Sequence, residues 1–128
     1  MTAFAFYGTF MSGQPGHGNL AGARFVERTR TAPRYRLYAV GGLPALVPAP
    51  DGVAIDCELY DVDESQLARL AELEPPGWAR APLELVDRRV VEAFVAADRI
   101  GSRGTDISAH GSWAAYVASP ARGASRSR

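Results

Sequence analysis

Glu74 is the residue of this sequence best placed to move a proton. It closes the segment ESQLARLAELE, in which Leu67, Leu70 and Leu73 recur at helical spacing. At i+4 from Leu70 and i+7 from Leu67 it falls on the apolar stripe. A carboxylate at such a position faces the negative end of a helix and an apolar core, and both raise its pKa toward the range a general acid and base needs. The same pattern allows Glu74 to reach solvent or to pair with Arg80, and spacing alone leaves both open. Glu72 lies off the stripe and is expected in water.

The second candidate is the stretch FYGTFMSGQPGHGNL, from Phe6 to Leu20. It starts as a buried strand and breaks at Gly8 into a loop of Gly, Ser, Pro and His. Backbone N–H groups leaving a strand end can converge on a carboxylate or carbonyl oxygen, and a residue without Cβ permits close approach. The alternative is a plain strand-to-loop turn. The stretch lacks the Lys-Ser/Thr pair of a phosphate loop and the glycine spacing of a dinucleotide site.

Other chemistries are weak or excluded. The chain has no Lys, which removes Schiff-base and lysine-nucleophile mechanisms. His17 and His110 have no set of converging ligands at metal-binding spacing, so no metal is expected. Asp106, Ser108 and Ser112 crowd around His110, and no Gly-x-Ser-x-Gly elbow is present, so a serine hydrolase is not indicated. Cys57, the single cysteine, reads as core within a strand and cannot form an intrachain disulfide. Trp78, Trp113 and Tyr116 suit core edges or pocket walls, and core packing is the favoured reading for each.

The elements that must position these residues fit one domain of 128 residues, 47% hydrophobic and 22% charged. Acidic and basic residues balance at 14 each, so no field draws nucleic acid or an anionic membrane; a small molecule is the expected partner, with a monomer or homodimer as the expected state. With no leader-like segment and no long apolar run, a cytoplasmic protein is expected. Ala3 to Tyr7 reads as a buried strand, and Leu20 to Arg24 as one helical turn. Two strands follow, Arg24 to Thr31 and Arg34 to Val40, or one long strand bent at Pro33; then Gly41-Gly42 and the segment Pro44 to Asp51 are turn-rich, with only ALV strand-like. Val53 to Val62 alternates as a single strand, with Cys57 on the inner face and Glu58 and Tyr60 on the other. Asp63 caps the one clear helix, stopped by Pro75-Pro76. Trp78 to Val86 and Arg89 to Val95 form a hairpin around Asp87-Arg88, and Ile107 to Ala118 a last short helix. Residues 119–128 carry small and basic side chains and are expected to be disordered. The order of elements indicates α+β: a compact single domain over residues 1–118, a small mixed β-barrel flanked by a few short helices.

Together these residues resemble the gamma-glutamylcyclotransferase superfamily. Its signature of a first strand ending in Tyr-Gly-Ser/Thr-Leu stands here as Tyr7-Gly8-Thr9-Phe10. Asn19-Leu20, the Leu-x-x-Leu-Glu ending at Leu70 to Glu74, and an aromatic-x-Arg at Trp78 to Arg80 match further parts. The resemblance implies that Glu74 is the acid/base and that Tyr7, Gly8, Thr9, Phe10, Trp78 and Arg80 contact substrate. It also implies a cofactor-free release of 5-oxoproline and a free amine or amino acid from a gamma-glutamyl compound. Two further stretches, GARFVERTRTAPRYRLYAV and DISAHGSWAAYVAS, resemble the C-terminal domain of allophanate hydrolase, a relative of the same fold acting on a small carboxylated urea derivative. That resemblance implies an apolar residue at the position of Glu74 and an altered Tyr-Gly-Thr-Leu signature, whereas this chain keeps both the Glu and the Tyr-Gly-Thr start of that signature, which favours cyclotransferase-type chemistry. A binding module with the fold but no turnover is the third reading.

Overall fold

The computed structural model describes residues 1–120. The tail expected to be disordered lies, from residue 121 onward, outside the described residues. Along the chain run β1 (Thr2–Phe6), a 3-10 turn (His17–Leu20), β2 (Arg24–Arg30), β3 (Tyr35–Val40), β4 (Leu43–Pro48) and β5 (Asp56–Val62). Then come α1 (Glu64–Glu72), β6 (Trp78–Glu84), β7 (Val90–Ala96), α2 (Asp98–Gly101), β8 (Thr105–Asp106), a second 3-10 turn (Ser108–His110) and α3 (Trp113–Val117).

β1 is apolar and buried from Phe4 to Phe6 because there it is covered on both faces. It is the middle strand of a five-stranded sheet ordered β2-β5-β1-β7-β6, antiparallel to β5 and parallel to β7. Ala5, and Tyr7 just beyond the strand, pack inward with Leu37, Leu46, Cys57, Leu83 and Trp113, while Phe4 and Phe6 pack outward against Leu67 and Leu70 of α1. The sheet closes on itself at one end, where Ala32 N–H donates to Glu84 O and Val86 N–H to Arg30 O, each at 2.9 Å, around the Thr31–Leu85 bridge. A second sheet, β4-β3-β8, covers the remaining side. The result is a single α+β domain built on a small mixed barrel, as the order of elements indicated.

The expected elements are present, with ends shifted by no more than two residues, for β1, for the two strands around Pro33 and for the β6–β7 hairpin, whose turn places Arg88 at φ 75°. Asp63 caps α1 by accepting from Gln66 N–H at 2.8 Å. Four local readings need correction. The first turn of helix is at His17–Leu20, upstream of the expected position, because Arg24 already pairs with Asp61 in the sheet. The turn-rich segment is strand β4: its prolines, Pro44 and Pro48, are tolerated because β4 is an edge strand that pairs only with β3. β5 begins at Asp56, Val53 making only a bridge to Tyr35. The final helix is broken in two by Gly111 at φ 73°, and α2 and β8 were not foreseen.

Candidate functional site

Glu74 is not part of α1. The helix ends at Glu72, Leu73 is its C-cap and is exposed, and Glu74 follows in a bend before Pro75. A residue preceding proline is driven out of the helical region, so the two prolines lift Glu74 off the helix. The apolar stripe of the helix therefore does not place Glu74; the bend does, and of the two readings left open the structure has the side chain half-buried. Burial pushes its pKa up to about 7, and no hydrogen bond or ion pair among the described residues opposes that shift.

The pocket that receives Glu74 is lined by Phe6, Tyr7, Gly8, Thr9, Phe10 and Trp78, with Ala5, Leu43, Pro44, Pro75 and Phe94 completing the wall. It encloses about 400 Å³ including its open mouth. The strand end and the post-helix bend, 64 residues apart in sequence (74 − 10), thus meet across one small apolar cleft. Gly8 has a different reason for being glycine from the one expected. A Cβ there would come within 2.2 Å of Pro44 Cγ, so the missing side chain admits the Pro44 ring, which forms a wall of the pocket. Trp78 fixes that wall from the other side, donating from Nε1 to Pro44 O at 3.0 Å.

The Gly-rich loop acts as a backing for the strand end. Gly8 O accepts from Met11 N–H at 3.0 Å, Thr9 O from Gly16 N–H at 2.9 Å, and Phe10 O lies 2.9 Å from His17 Nδ1. In a trans peptide the carbonyl and the following N–H point in opposite directions. Tying Gly8 O and Thr9 O to the loop therefore turns the N–H groups of Thr9 and Phe10 away from it. Both residues line the pocket, and neither N–H donates to another group among the described residues. The site thus offers oriented donors and one carboxyl group, with no cation among its lining residues.

Arg80 is not brought to the pocket. It is held between α1 and β7 by Glu64 (Nη1–Oε1 2.9 Å) and Glu92 (Nη2–Oε1 2.8 Å), with its guanidinium 5.9 Å from the Phe4 ring centre. Glu64 in turn accepts from Thr2 Oγ1 and has its pKa lowered to about 2, chiefly by Arg80. The residues near His110 are structural: Ser108 Oγ accepts from Leu37 N–H at 2.9 Å, Ser112 caps α3, and His110 packs on Tyr116.

Comparison with known proteins gives a family model, described as the allophanate hydrolase C-terminal domain, that matches residues 2–118. The chain belongs to that family. Solved structures extend the relation. The uropathogenic E. coli-specific protein c4763 shares 29% identity over 91% of this chain and 94% of its own, with a TM-score of 0.84. The AIG2-like protein GGACT from Mus musculus shares 29% identity over 76% of each chain, with a TM-score of 0.62. Kluyveromyces lactis allophanate hydrolase carries the same fold at 23% identity and a TM-score of 0.85, over 91% of this chain but 21% of that one. These relatives set the chain within the gamma-glutamylcyclotransferase-like superfamily as well. No curated protein matches.

This allophanate hydrolase C-domain family member holds its site with two features that sequence reading missed. Glu58, expected on the outer face of β5, is 1% exposed because the loop after Phe10 covers it. It accepts from Ser12 N–H at 2.8 Å, from Ser12 Oγ at 2.5 Å and from Tyr60 OH at 3.2 Å, and it lies 3.4 Å from Arg28 Nε. The backing loop is thereby anchored to the barrel two residues after Phe10. The signal in the sequence was Tyr60, an aromatic on the same face, which marks that face as covered. The second feature is Tyr7. Its OH donates to Phe94 O at 2.6 Å and accepts from Leu46 N–H at 3.3 Å, joining the two sheets where the pocket forms. Burial raises its pKa further above the usual tyrosine value, and the nearby Glu74 charge adds to this. Tyr7→Phe strands the fully buried Leu46 N–H and is expected to cost about 1–3 kcal/mol, read as a lower denaturation midpoint at unchanged slope.

Proposed function

We propose that the protein is a gamma-glutamyl cyclotransferase-type enzyme that releases 5-oxoproline and a free amine from a gamma-glutamyl amide. The observation that carries this reading is Glu74: a carboxyl group without a partner, poised at about pH 7, in one pocket with the unengaged N–H groups of Thr9 and Phe10.

The chemistry asks little beyond these groups. The α-nitrogen and the γ-carbonyl of a glutamyl group belong to one molecule, so holding the folded conformer supplies most of the entropy of ring closure. The Glu74 carboxylate takes a proton from the α-ammonium, freeing the lone pair that attacks the γ-carbon. The N–H groups of Thr9 and Phe10 stabilise the tetrahedral oxyanion. As the C–N bond to the amine breaks, protonated Glu74 delivers its proton to the departing nitrogen. Of the three α-ammonium protons one remains on the lactam nitrogen, and Glu74 carries the other two, one at a time, to the released amine. Tyr7 takes no part in proton transfer, since its hydroxyl is occupied by Phe94 O and Leu46 N–H.

The family match favours a second reading, an enzyme acting on a small carboxylated urea derivative. Glu74 weighs for the first, because a general base that must give its proton back is what cyclisation with amine release requires. The test is incubation of the protein with gamma-glutamyl amides and gamma-glutamyl amino acids and chromatographic detection of 5-oxoproline. Its formation is the expected result. Carbon dioxide released from N-carboxyurea, with no 5-oxoproline from any gamma-glutamyl compound, moves the assignment to the second reading.

A further inference from the structure

The N–H groups of Thr9 and Phe10 keep their direction only while the chain that follows stays folded behind them. Residues 11–18 include Gly13, Gly16 and Gly18, with Gly13 at φ 80°, and glycine leaves a backbone the most freedom. The hydrogen bonds of this segment run within it or to the strand end: Met11 N–H to Gly8 O, Gln14 N–H to Met11 O, Gly16 N–H to Thr9 O and His17 N–H to Gln14 O. Bonds of this kind fold the loop on itself without joining it to the barrel. The polar anchor to the barrel is Glu58, which accepts from Ser12 N–H at 2.8 Å and from Ser12 Oγ at 2.5 Å, with Arg28 Nη2 3.3 Å from the same hydroxyl. It grips the chain between Phe10 and Gly13, so movement of the glycines beyond it is not passed to the donors.

Fold stability alone gives no reason for an acid at this place. Glu58 pairs with Phe6 across β1 and shares its face with Tyr60, and both rings belong to the apolar cluster that contains Met11. Removing a carboxyl group from water is costly, and an apolar side chain of similar volume would pack there without that cost. A fully hydrogen-bonded polar group fixes one arrangement of its partners, which an apolar contact does not. We propose that Glu58 is a positioning residue: by holding Ser12 it keeps Gly8 to Phe10 in the one conformation whose N–H groups receive the oxyanion. It lies outside the pocket and touches neither substrate nor reacting atoms. The proposal rests on the cyclotransferase reading and adds to it the residue that maintains its oxyanion site.

Glu58→Met and Glu58→Gln test this. Glu58→Met fills the volume and removes both acceptor oxygens; the Arg28 side chain it leaves is 77% exposed, so no charge is stranded in the interior. Glu58→Gln keeps one oxygen for Ser12 N–H. In Glu58→Met kcat is expected to fall on the order of 10²-fold, as for donors displaced by about 1 Å, with KM nearly unchanged because the donors act in the transition state. Glu58→Gln is expected to recover most of that rate. Amide hydrogen exchange supplies the second readout. Met11 and Gly16 N–H, whose bonds orient Thr9 and Phe10, are expected to exchange at least about tenfold faster in Glu58→Met, while the amides of β1 and β5 keep their rates. Should Glu58→Met fail to fold, Ser12→Ala carries the test, since it removes one of the two bonds from an exposed residue and is expected to lower kcat roughly 3–10-fold with the same local exchange. An unchanged kcat, a lowered kcat without faster exchange at Met11 and Gly16, or acceleration spread over β1 and β5 overturns the proposal while leaving the cyclotransferase reading intact. If the unaltered protein forms no 5-oxoproline, that reading fails and exchange alone decides. Acceleration confined to Met11 and Gly16 and reversed in Glu58→Gln then keeps Glu58 as the residue that holds the strand end, and equal exchange in all three proteins overturns it.

Discussion

Glu74→Gln is expected to lower the proposed turnover and to stabilise the fold, and both effects grow as pH rises. Loss of a general acid/base lowers kcat by roughly 10²–10⁴-fold. For the unaltered protein kcat/KM rises with pH through an acidic limb at about 7, the pKa to which burial raises Glu74, and that limb disappears in the Gln variant. The stability of the unaltered protein runs the other way. Because the folded pKa of about 7 lies above the ordinary 4.5, the folded chain holds a proton that the unfolded chain has released between those values. The contribution of Glu74 to stability is therefore full below pH 4.5 and is lost as pH rises through 7. Gln is neutral throughout and escapes the loss. At pH 8 the variant is expected to be more stable by about 1 kcal/mol, a figure discounted for partial exposure, and at pH 4 the difference vanishes. Thermal melts at the two pH values, with rates measured across the same range, check both halves. A variant that keeps its rate removes Glu74 from the mechanism.

Gly8→Ala is expected to damage both the fold and the site, although it adds one methyl group. The new Cβ would stand 2.2 Å from Pro44 Cγ and 2.9 Å from Pro44 Cβ. A proline ring cannot rotate aside, and Pro44 is itself held by the Trp78 indole, so the strain falls on the backbone from Tyr7 to Phe10. Overpacking of this kind costs typically about 1–3 kcal/mol. For the proposed reaction, a displacement of about 1 Å at the Thr9 and Phe10 N–H groups is expected to lower kcat on the order of 10²-fold. Denaturation midpoints and steady-state kinetics measure the two effects, and a variant of wild-type stability and rate contradicts the assigned contact.

Much of the site could be read from the sequence because its chemistry lies in two short local patterns. Tyr7 to Phe10 ends a strand at a glycine, and Glu74 precedes a pair of prolines; each pattern fixes its own backbone whatever the rest of the fold does. What could not be read depends on partners far away in the chain. Arg80 alternates on the same face as Trp78, and nothing local reveals that Glu64 and Glu92 capture it first. Leu43 and Pro44 were hidden because proline argues against a strand, and only the edge position of β4 makes it acceptable. The burial of Glu58 depends on the Gly-rich loop folding over β5, a contact between segments 46 residues apart (58 − 12). The barrel was legible at the level of class from element order, while its closure through Thr31 and Leu85 rests on two hydrogen bonds with no local signature.

The burial of Cys57 has a practical consequence. The thiol is 1% exposed and its pKa is pushed up to about 12 by burial, so it supplies almost no thiolate for alkylation at neutral pH. Since the chain also has no lysine, its native side chains are nearly silent toward maleimides and amine-directed dyes. A cysteine introduced at the exposed Leu43 position, in the wall of the Glu74 pocket, would be the one thiol labelled at neutral pH, and a fluorophore there would report when that pocket is filled and emptied.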